Sequence, residues 1–297
     1  MSADPTQRTV TANGVELCVF ERNPDRRGAD VSLLFLHATG FHARIWDQII
    51  LRLPAVHSIA VDLRGHGRSQ KVPIPHWAEV VADVAGCVEA LDLTNVVGVG
   101  HSMGGHALLG AAAREPARYR AALAVDPVIA PPEVYESAEI DISAAESHPM
   151  ARRRARFDSP EDMLERLLGK GSYGLFERAM LEDYCEYGLL EAPEGGYTLA
   201  CPPAIEASVY MTSRSNGGIH DAVRSLEIPV RVLRAKLPAP GEAMDFSSSP
   251  TWPGLVDQMR NAEEQFYPQR THFLPMEIPD EVAGHILRLM AQASDGE

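Results

Sequence analysis

The sequence predicts an α/β fold built on a mostly parallel sheet, and two observations carry this prediction. Short apolar runs, each bounded by Gly, Pro or Asp, are typical of strands that are buried on both faces. Several of these runs are separated by segments long enough for a helix, as expected when crossover helices join parallel strands. The runs lie at residues 31–36, 58–61, 96–99, 121–125 and 230–233.

The composition is that of an ordinary globular protein. Of the 297 residues, 45% are hydrophobic and 23% are charged, which excludes a disordered chain, collagen and a coiled coil. The net charge is −14 and no sustained basic stripe is present, so nucleic acid or an anionic membrane surface is not expected as a partner. We expect a small-molecule substrate and a monomer or homodimer.

Localisation and cysteine usage give further expectations. The first residues lack the charged start and apolar run of a signal peptide, and nowhere do about 18 uncharged apolar residues follow one another, so a cytoplasmic location is expected. The cysteines lie apart, without a CxxC pair or a neighbouring histidine cluster, which predicts structural thiols and neither a zinc site nor a disulfide framework. They are Cys18, Cys87, Cys185 and Cys201.

A hairpin is predicted at the beginning of the chain. Asn13 and Gly14 lie between two alternating apolar runs, and this pair favours a tight turn because both turn positions need positive φ. The sheet therefore begins with an antiparallel pair of strands.

The pattern changes after the run at 121–125. An arginine-rich segment at 151–156 predicts a helix with a solvated or salt-bridged face, Ser159 followed by Pro160 predicts a helix start, and residues 175–187 predict a second helix. No buried strand is visible in this part of the sequence. We therefore expect residues 131–215 to be a helical insertion between two parts of the sheet core, 1–130 and 216–297.

A Gly-x-Ser-x-Gly pattern lies at residues 100–104, directly after the apolar run 96–99 and directly before Ala/Leu-rich helical sequence. So tight a turn between a strand and a helix strains the serine and needs small residues two positions on either side. Such a turn exposes the Ser102 hydroxyl. The pattern alone is weak, and its place between a strand and a helix gives it weight.

Two further segments follow predicted strands. Residues 36–42, Leu-His-Ala-Thr-Gly-Phe-His, form a glycine-containing loop whose backbone N–H groups could converge on a developing oxyanion. Residues 62–69, Asp-Leu-Arg-Gly-His-Gly-Arg-Ser, follow the next strand. With the serine turn in this order, the chain resembles the α/β-hydrolase superfamily, whose helical cap is inserted where residues 131–215 fall. The sequence departs from the family at Ala38, where glycine is usual.

The resemblance implies roles for individual residues. Ser102 looks like the nucleophile, and the backbone N–H groups of Thr39 and Met103 look like the oxyanion donors. A serine hydroxyl is a poor nucleophile unless a base removes its proton, and the family supplies a histidine near the C-terminus. His272 matches that position, because it follows a last short strand and precedes a closing helix expected to begin near Pro279.

The acid that orients the histidine is the open question. In most of the superfamily it follows the seventh strand, but the corresponding residues 234–238, Arg-Ala-Lys-Leu-Pro, hold no carboxylate. Asp126 lies at the end of the sixth strand, where some branches place their acid, and is our first candidate. Asp245 and Glu242, in a loop that would have to fold back, are the alternatives. An aspartate before a proline can also simply cap a turn.

These inferences together predict a serine hydrolase of the α/β-hydrolase type, with a twisted parallel sheet, helices on both faces and a helical cap. The expected activity is that of a carboxylic ester hydrolase or lactonase that uses no metal or organic cofactor. The same residues would also serve hydrolytic carbon–carbon cleavage or perhydrolysis. An alternative of another class is a non-catalytic ligand receptor on a hydrolase scaffold.

Overall fold

An eight-stranded sheet forms the centre of the computed structural model, which describes residues 4–135, 142, 145–238 and 247–294. In chain order the strands are β1 (Thr6–Ala12), β2 (Val15–Arg22), β3 (Ser32–Leu36), β4 (His57–Asp62), β5 (Val96–His101), β6 (Tyr119–Val125), β7 (Arg156–Phe157), β8 (Leu189–Glu191), β9 (Tyr197–Leu199), β10 (Val230–Ala235) and β11 (Ala262–Tyr267). The α-helices are α1 (Asp47–Ile50), α2 (Trp77–Ala90), α3 (Met103–Arg114), α4 (Pro160–Leu167), α5 (Arg178–Tyr187), α6 (Pro203–Met211), α7 (Ile219–Ser225), α8 (Leu274–Glu277) and α9 (Pro279–Ser294).

The large sheet is mostly parallel, as the sequence predicts. Its strand order is β1-β2-β4-β3-β5-β6-β10-β11. Strand β2 runs antiparallel to β1 and β4, and the remaining neighbours pair in parallel. The carboxyl ends of β3, β5 and β6 therefore meet at one edge, where ligands commonly bind in such sheets.

The predicted hairpin joins β1 and β2. Ala12 pairs with Val15, and the two residues between them have φ values of 48° at Asn13 and 75° at Gly14. Both values lie in the left-handed region that a two-residue turn of this kind requires, which explains the Asn-Gly pair.

Apolar side chains fill both faces of the sheet. Successive residues of β3 alternate between two buried clusters, with Leu34 and Leu36 on one face and Leu33 and Phe35 on the other. Helices α2, α3 and α7 contribute to the first cluster, and α9 contributes to the second. Each fully buried side chain of this size stabilises the fold by about 1.5–3 kcal/mol. This double burial is why the strands appear in the sequence as continuous apolar runs.

The chain between β6 and β10 contains more than the expected helices. Strands β7, β9 and β8 form a small antiparallel sheet, which the sequence analysis did not predict. These strands are two or three residues long, too short to show an alternating apolar pattern. Helices α4, α5 and α6 lie in the same part of the chain.

The prediction of a helix at residues 151–156 was wrong. A single 3-10 turn covers Pro149–Arg152, the next residues are extended, and Arg156 already belongs to β7. The arginines of this stretch reach three different carboxylates, Glu206, Asp162 and Glu194, so tertiary ion pairs override local helix propensity. The predicted helix start at Ser159 is correct, since its Oγ accepts a hydrogen bond from Asp162 N at 3.2 Å.

Two further properties concern the described part of the chain. Its helices include none with the length and apolar character needed to span a bilayer. All four cysteines are buried and unpaired.

Candidate active site

Ser102 lies in a sharp turn between β5 and α3. Its backbone has φ 58° and ψ −117°, a conformation that non-glycine residues rarely adopt and that the surrounding structure must enforce. The two flanking glycines make the turn possible. A Cβ on Gly100 would lie 2.4 Å from the carbonyl oxygen of Gly104, and a Cβ on Gly104 would lie 2.3 Å from the carbonyl oxygen of Leu36. The spacing of the motif is therefore dictated by close backbone contact.

A chain of hydrogen bonds links Ser102, His272 and Asp126. Ser102 Oγ lies 2.9 Å from His272 Nε2, and His272 Nδ1 lies 2.6 Å from Asp126 Oδ2. A carboxylate can only accept, so the proton resides on Nδ1 and Nε2 is left as the acceptor for the serine hydroxyl. All three side chains are buried. The geometry is that of a nucleophile, a base and an orienting acid.

Asp126 is fixed by donors from two other segments. Its Oδ1 accepts hydrogen bonds from Ala235 N at 3.0 Å, Ser249 Oγ at 2.5 Å and Thr251 Oγ1 at 3.3 Å, which leaves Oδ2 for His272. The end of β10 thus contributes a backbone N–H to the carboxylate. The alternative acids Asp245 and Glu242 lie outside the residues that the structure describes.

Two buried histidines hold the loops around the site. His101 Nε2 donates to the carbonyl oxygen of His272 at 2.8 Å, and burial lowers the pKa of His101 well below its usual value, so its ring is neutral near pH 7. His37 Nδ1 donates to the carbonyl oxygen of Ala38 at 2.7 Å, while Leu63 N donates to its Nε2 at 2.9 Å. The histidine that contacts Ser102 Oγ is His272.

Thr39 and Met103, whose backbone N–H groups the resemblance names as oxyanion donors, lie in contact with each other. Met103 is the first residue of α3, so its N–H has no partner inside the helix, and the Thr39 side chain lies 3.8 Å from Met103 Sδ. Within the residues that the structure describes, neither the Thr39 nor the Met103 N–H donates a hydrogen bond to backbone elsewhere. They are the donors that the resemblance implies.

A cavity of about 610 Å³ opens onto Ser102 and His272. Its volume is in the range of small-molecule sites. The wall is largely apolar, and it is formed both by the sheet core and by the segment between β6 and β10; representative lining residues are Phe41, Trp77, Val128, Phe157, Leu167 and Phe273. Of the other tryptophans, Trp46 packs on Phe35 with a centroid distance of 5.5 Å and belongs to the core.

An ion pair that the sequence did not reveal lies in the cavity wall. Arg153 Nη1 donates to both carboxylate oxygens of Glu206, at 3.0 and 2.7 Å, and Glu206 is almost completely buried on α6. Burial raises the pKa of Glu206, while the Arg153 charge opposes this shift. A Cβ on Gly40 would lie 2.7 Å from Glu206 Oε1, so the pair packs against the loop that carries Thr39.

In the described part of the chain, no three His, Cys, Asp or Glu side chains are grouped to hold an ion. The polar side chains of the cavity wall carry hydroxyl, imidazole, guanidinium and carboxylate groups.

Comparisons with known proteins show what the chain is similar to. A family model described as alpha/beta hydrolase family matches residues 33–285. The 2-(acetamidomethylene)succinate hydrolase of Mesorhizobium japonicum is 30% identical over 128 residues, covering 42% of this chain and 46% of that protein. A non-heme chloroperoxidase of Streptomyces lividans is 37% identical over 132 residues, covering 43% and 46%. The chain thus matches less than half the length of these relatives.

Solved structures extend the likeness to the whole fold. The crystal structure of E-2-(acetamidomethylene)succinate hydrolase superposes with a TM-score of 0.74, covering 97% of this chain and 99% of that one, at 22% sequence identity. At this identity the likeness concerns the fold, and it confirms the predicted fold class. Because the family model spans most of the sequence, the chain belongs to the alpha/beta hydrolase family.

Proposed function

We propose that this protein is a serine hydrolase that cleaves a carboxylic ester or lactone of a small molecule through an acyl-enzyme on Ser102. The observation that carries the proposal is the hydrogen-bonded series Ser102, His272 and Asp126 at the wall of a largely apolar cavity. A substrate carbonyl bound there would lie next to the only groups needed for acyl transfer: a nucleophile, a base and oxyanion donors.

In the first half-reaction Ser102 Oγ attacks the carbonyl carbon while its proton passes to His272 Nε2. Asp126 keeps the imidazole in the tautomer that presents Nε2 and stabilises the imidazolium that forms. The Thr39 and Met103 N–H groups receive the negative charge of the tetrahedral intermediate. Removing one donor of this kind costs about 3–4 kcal/mol of transition-state stabilisation in a serine hydrolase.

The first half-reaction ends when the tetrahedral intermediate collapses: the bond between the carbonyl carbon and the leaving oxygen breaks, the His272 imidazolium gives its proton to that oxygen, and the acyl group stays on Ser102. The second half-reaction removes the acyl group. Water, deprotonated by His272, then attacks the acyl-enzyme, and the collapse of the second tetrahedral intermediate returns the proton to Ser102 Oγ. The protein groups that move the protons, Ser102 Oγ and His272 Nε2, already lie 2.9 Å apart.

Residues 131–215 act, in this proposal, as a cap over a core formed by 1–130 and 216–297. The arrangement that supports this division is the shared cavity wall, to which the core contributes Phe41 and Phe273 and the inserted segment contributes Phe157 and Leu167. Enclosing the site strengthens electrostatic stabilisation because water is displaced from around the reacting groups. The cap residues would also set the size of the acyl group.

A second candidate reaction uses a peroxide in place of the hydrolytic water. The non-heme chloroperoxidase of Streptomyces lividans, similar over 132 residues, supports this candidate. Attack of hydrogen peroxide on the same acyl-enzyme would release a peracid, and His272 would deprotonate the peroxide as it does water.

Turnover of a p-nitrophenyl ester series of increasing acyl length, together with a small lactone panel, tests the proposal with wild type and Ser102→Ala. We expect hydrolysis that Ser102→Ala lowers by at least about 10⁴-fold. Added hydrogen peroxide should divert product to peracid if the second candidate applies. Hydrolysis that persists in Ser102→Ala, or an absence of turnover with no labelling of Ser102 by a phosphonate, would contradict the proposal and favour a ligand receptor.

A further inference from the structure

The charged side chains that line the cavity are unequal in sign. Among the described residues they are three arginines, Arg153, Arg154 and Arg166, and one glutamate, Glu206. This positive excess lies in a chain whose net charge is −14. These guanidinium groups therefore require negatively charged partners, from the protein or from a ligand.

The ion pairs leave one of these positive charges unbalanced. Arg153 is matched by Glu206, with both carboxylate oxygens bound. Arg154 and Arg166 share Asp162: Arg166 Nε donates to Oδ1 at 2.7 Å, whereas Arg154 Nη2 lies 3.6 Å from Oδ2. Within 4.0 Å, neither of these two arginines has a second carboxylate in the described chain. One carboxylate thus serves two guanidinium groups.

The position of Arg154 and Arg166 suits ligand binding at the cavity mouth. Their side chains are 50% and 46% exposed, yet both line the cavity that reaches Ser102. The Arg154 guanidinium lies 5.1 Å from the centroid of the Phe157 ring, which also lines the cavity. Packing on an aromatic face orients a guanidinium and leaves its N–H edge for a planar anion.

The donor groups match a carboxylate. Arg154 uses Nε for the carbonyl oxygen of Arg156 at 2.7 Å, and Arg166 uses Nε for Asp162. Their Nη groups remain as the donors for a ligand, with Arg154 Nη2 3.6 Å from Asp162 Oδ2. Guanidinium N–H groups bind carboxylates in charge-assisted pairs that are stronger than neutral hydrogen bonds. An uncharged ester would leave the guanidinium groups of Arg154 and Arg166 without an anionic partner.

We propose that the substrate carries a carboxylate at the end remote from the scissile bond, and that Arg154 and Arg166 bind it. The inference rests on the proposed function and narrows its substrate class to acidic esters or lactones, such as monoesters of a short dicarboxylic acid. The apolar wall between Ser102 and the two arginines receives the methylene spacer. Arg153 lies inside and holds Glu206 against the Gly40 loop, so it is a positioning residue.

Paired substrates with the same methylene spacer test the charge preference. The 4-nitrophenyl monoester of glutaric acid carries a free carboxylate, and 4-nitrophenyl methyl glutarate has the same spacer without the charge. We expect wild type to show a kcat/KM for the acid at least about tenfold above that for the methyl ester, since hydrogen bonds to charged groups discriminate by about that factor. Arg154→Gln and Arg166→Gln should each lower this ratio about tenfold, chiefly through KM.

Arg178→Gln is the matched control. Arg178 is an exposed arginine of α5, paired with Glu182 and absent from the cavity wall, so its removal changes the net charge equally without changing the ratio. A wild-type ratio near one would overturn the inference. The inference would also be overturned if Arg154→Gln and Arg166→Gln lowered kcat/KM for both esters in parallel and left their ratio unchanged.

Ligand binding without turnover separates this inference from the proposed function. Glutarate binding to Ser102→Ala, measured by calorimetry against the uncharged glutaramide, should be stronger for the dianion and should weaken in Ser102→Ala combined with Arg154→Gln. Glutarate binding that depends on Arg154, with no ester turnover in wild type, would refute the proposed activity and keep the anion subsite. Serine-dependent turnover with equal binding of glutarate and glutaramide would refute the subsite alone.

Discussion

His272 Nδ1 lies 2.6 Å from Oδ2 of Asp126, a residue 146 positions earlier in the chain. The carboxylate comes from the end of β6, whereas the end of the neighbouring strand β10 supplies only the Ala235 N–H to Oδ1. A left-handed backbone at Asp126, with φ 45°, turns its side chain towards the histidine loop. The structure therefore brings the Asp126 carboxylate, directly after the end of β6, into hydrogen-bond contact with His272.

Replacing Asp126 by asparagine tests this placement. Asp126→Asn keeps the size of the side chain but removes the charge that stabilises the imidazolium and selects its tautomer. We expect kcat to fall by about 10³–10⁴-fold, by analogy with triads whose acid becomes an amide. Steady-state kinetics on a p-nitrophenyl ester, with circular dichroism to verify folding, provide the measurement.

Three parallel variants serve as controls for Asp126→Asn. Ser249→Ala removes one donor to Oδ1 but keeps the carboxylate, so its loss should be much smaller. Asp245→Asn and Glu242→Gln should retain near wild-type kcat. Normal turnover in Asp126→Asn, with a large loss in either of the last two, would transfer the role to that residue.

The glycine after Ser102 should tolerate no side chain. A Cβ on Gly104 would lie 2.3 Å from the carbonyl oxygen of Leu36, and backbone cannot move aside as a flexible side chain can. We expect Gly104→Ala to lower the free energy of unfolding by at least about 2 kcal/mol, the scale of overpacking. Urea unfolding followed by tryptophan fluorescence measures this.

Gly284→Ala provides the contrast within another helix. The nearest atom to a Cβ there is Arg288 Nη1 at 3.8 Å, so the methyl group fits and alanine gains about 0.5–1 kcal/mol of helix propensity. Equal free energies of unfolding for Gly104→Ala and Gly284→Ala would contradict the close contact between position 104 and the carbonyl oxygen of Leu36.

The pair of Arg153 and Glu206 should be coupled. Glu206 is almost completely buried, whereas 23% of the Arg153 side chain is exposed. Glu206→Gln leaves the guanidinium without its carboxylate, and we expect a loss smaller than the about 3–5 kcal/mol that is typical when one member of a fully buried pair is removed. A double-mutant cycle of Arg153→Met and Glu206→Gln should give a coupling free energy of about 1–3 kcal/mol in thermal or urea unfolding. Strictly additive effects would show that the pair contributes no mutual stabilisation.

Acid should destabilise the fold through His106. Burial lowers the pKa of His106 from 6.5 to about 4, and its Nδ1 donates to Val128 O while Asn216 donates to its Nε2. Below pH 6.5 the unfolded chain binds a proton that the folded chain refuses, so stability is full above pH 6.5 and is lost as the pH falls towards 4.

The His106→Gln variant isolates this contribution. Between about pH 7.5 and pH 5, wild type should lose on the order of 2 kcal/mol more unfolding free energy than His106→Gln, because the variant lacks the titrating ring. Urea unfolding at both pH values measures the difference. Parallel pH profiles for the two proteins would contradict the burial effect at this histidine.

Sequence reasoning reached the sheet because its strands are buried on both faces. Double burial appears in the sequence as a run of consecutive apolar residues, such as 96–99. The hairpin turn appears as the two residues Asn13-Gly14. The Gly-x-Ser-x-Gly pattern likewise records a local steric requirement. Features of this kind depend on neighbours in the chain and can be read without the fold.

Contacts between distant segments could not be predicted in the same way. Arg153 and Glu206 are 53 residues apart, and nothing in either local sequence marks them as a pair. The strands β7 and β9 are stabilised by pairing with each other, so their two or three residues carry no periodic pattern. Asp126 stood among three candidate acids because only the fold tells which carboxylate reaches His272.

Covalent labelling of Ser102 tests the central claim most directly. Wild type, Ser102→Ala and His272→Ala would be incubated with a fluorophosphonate, and the modified peptide identified by mass spectrometry. The account predicts one label per chain on Ser102 in wild type, none in Ser102→Ala, and a labelling rate at least about 10³-fold lower in His272→Ala, because the base no longer takes the serine proton. Labelling of another residue, or an undiminished rate in His272→Ala, would contradict it.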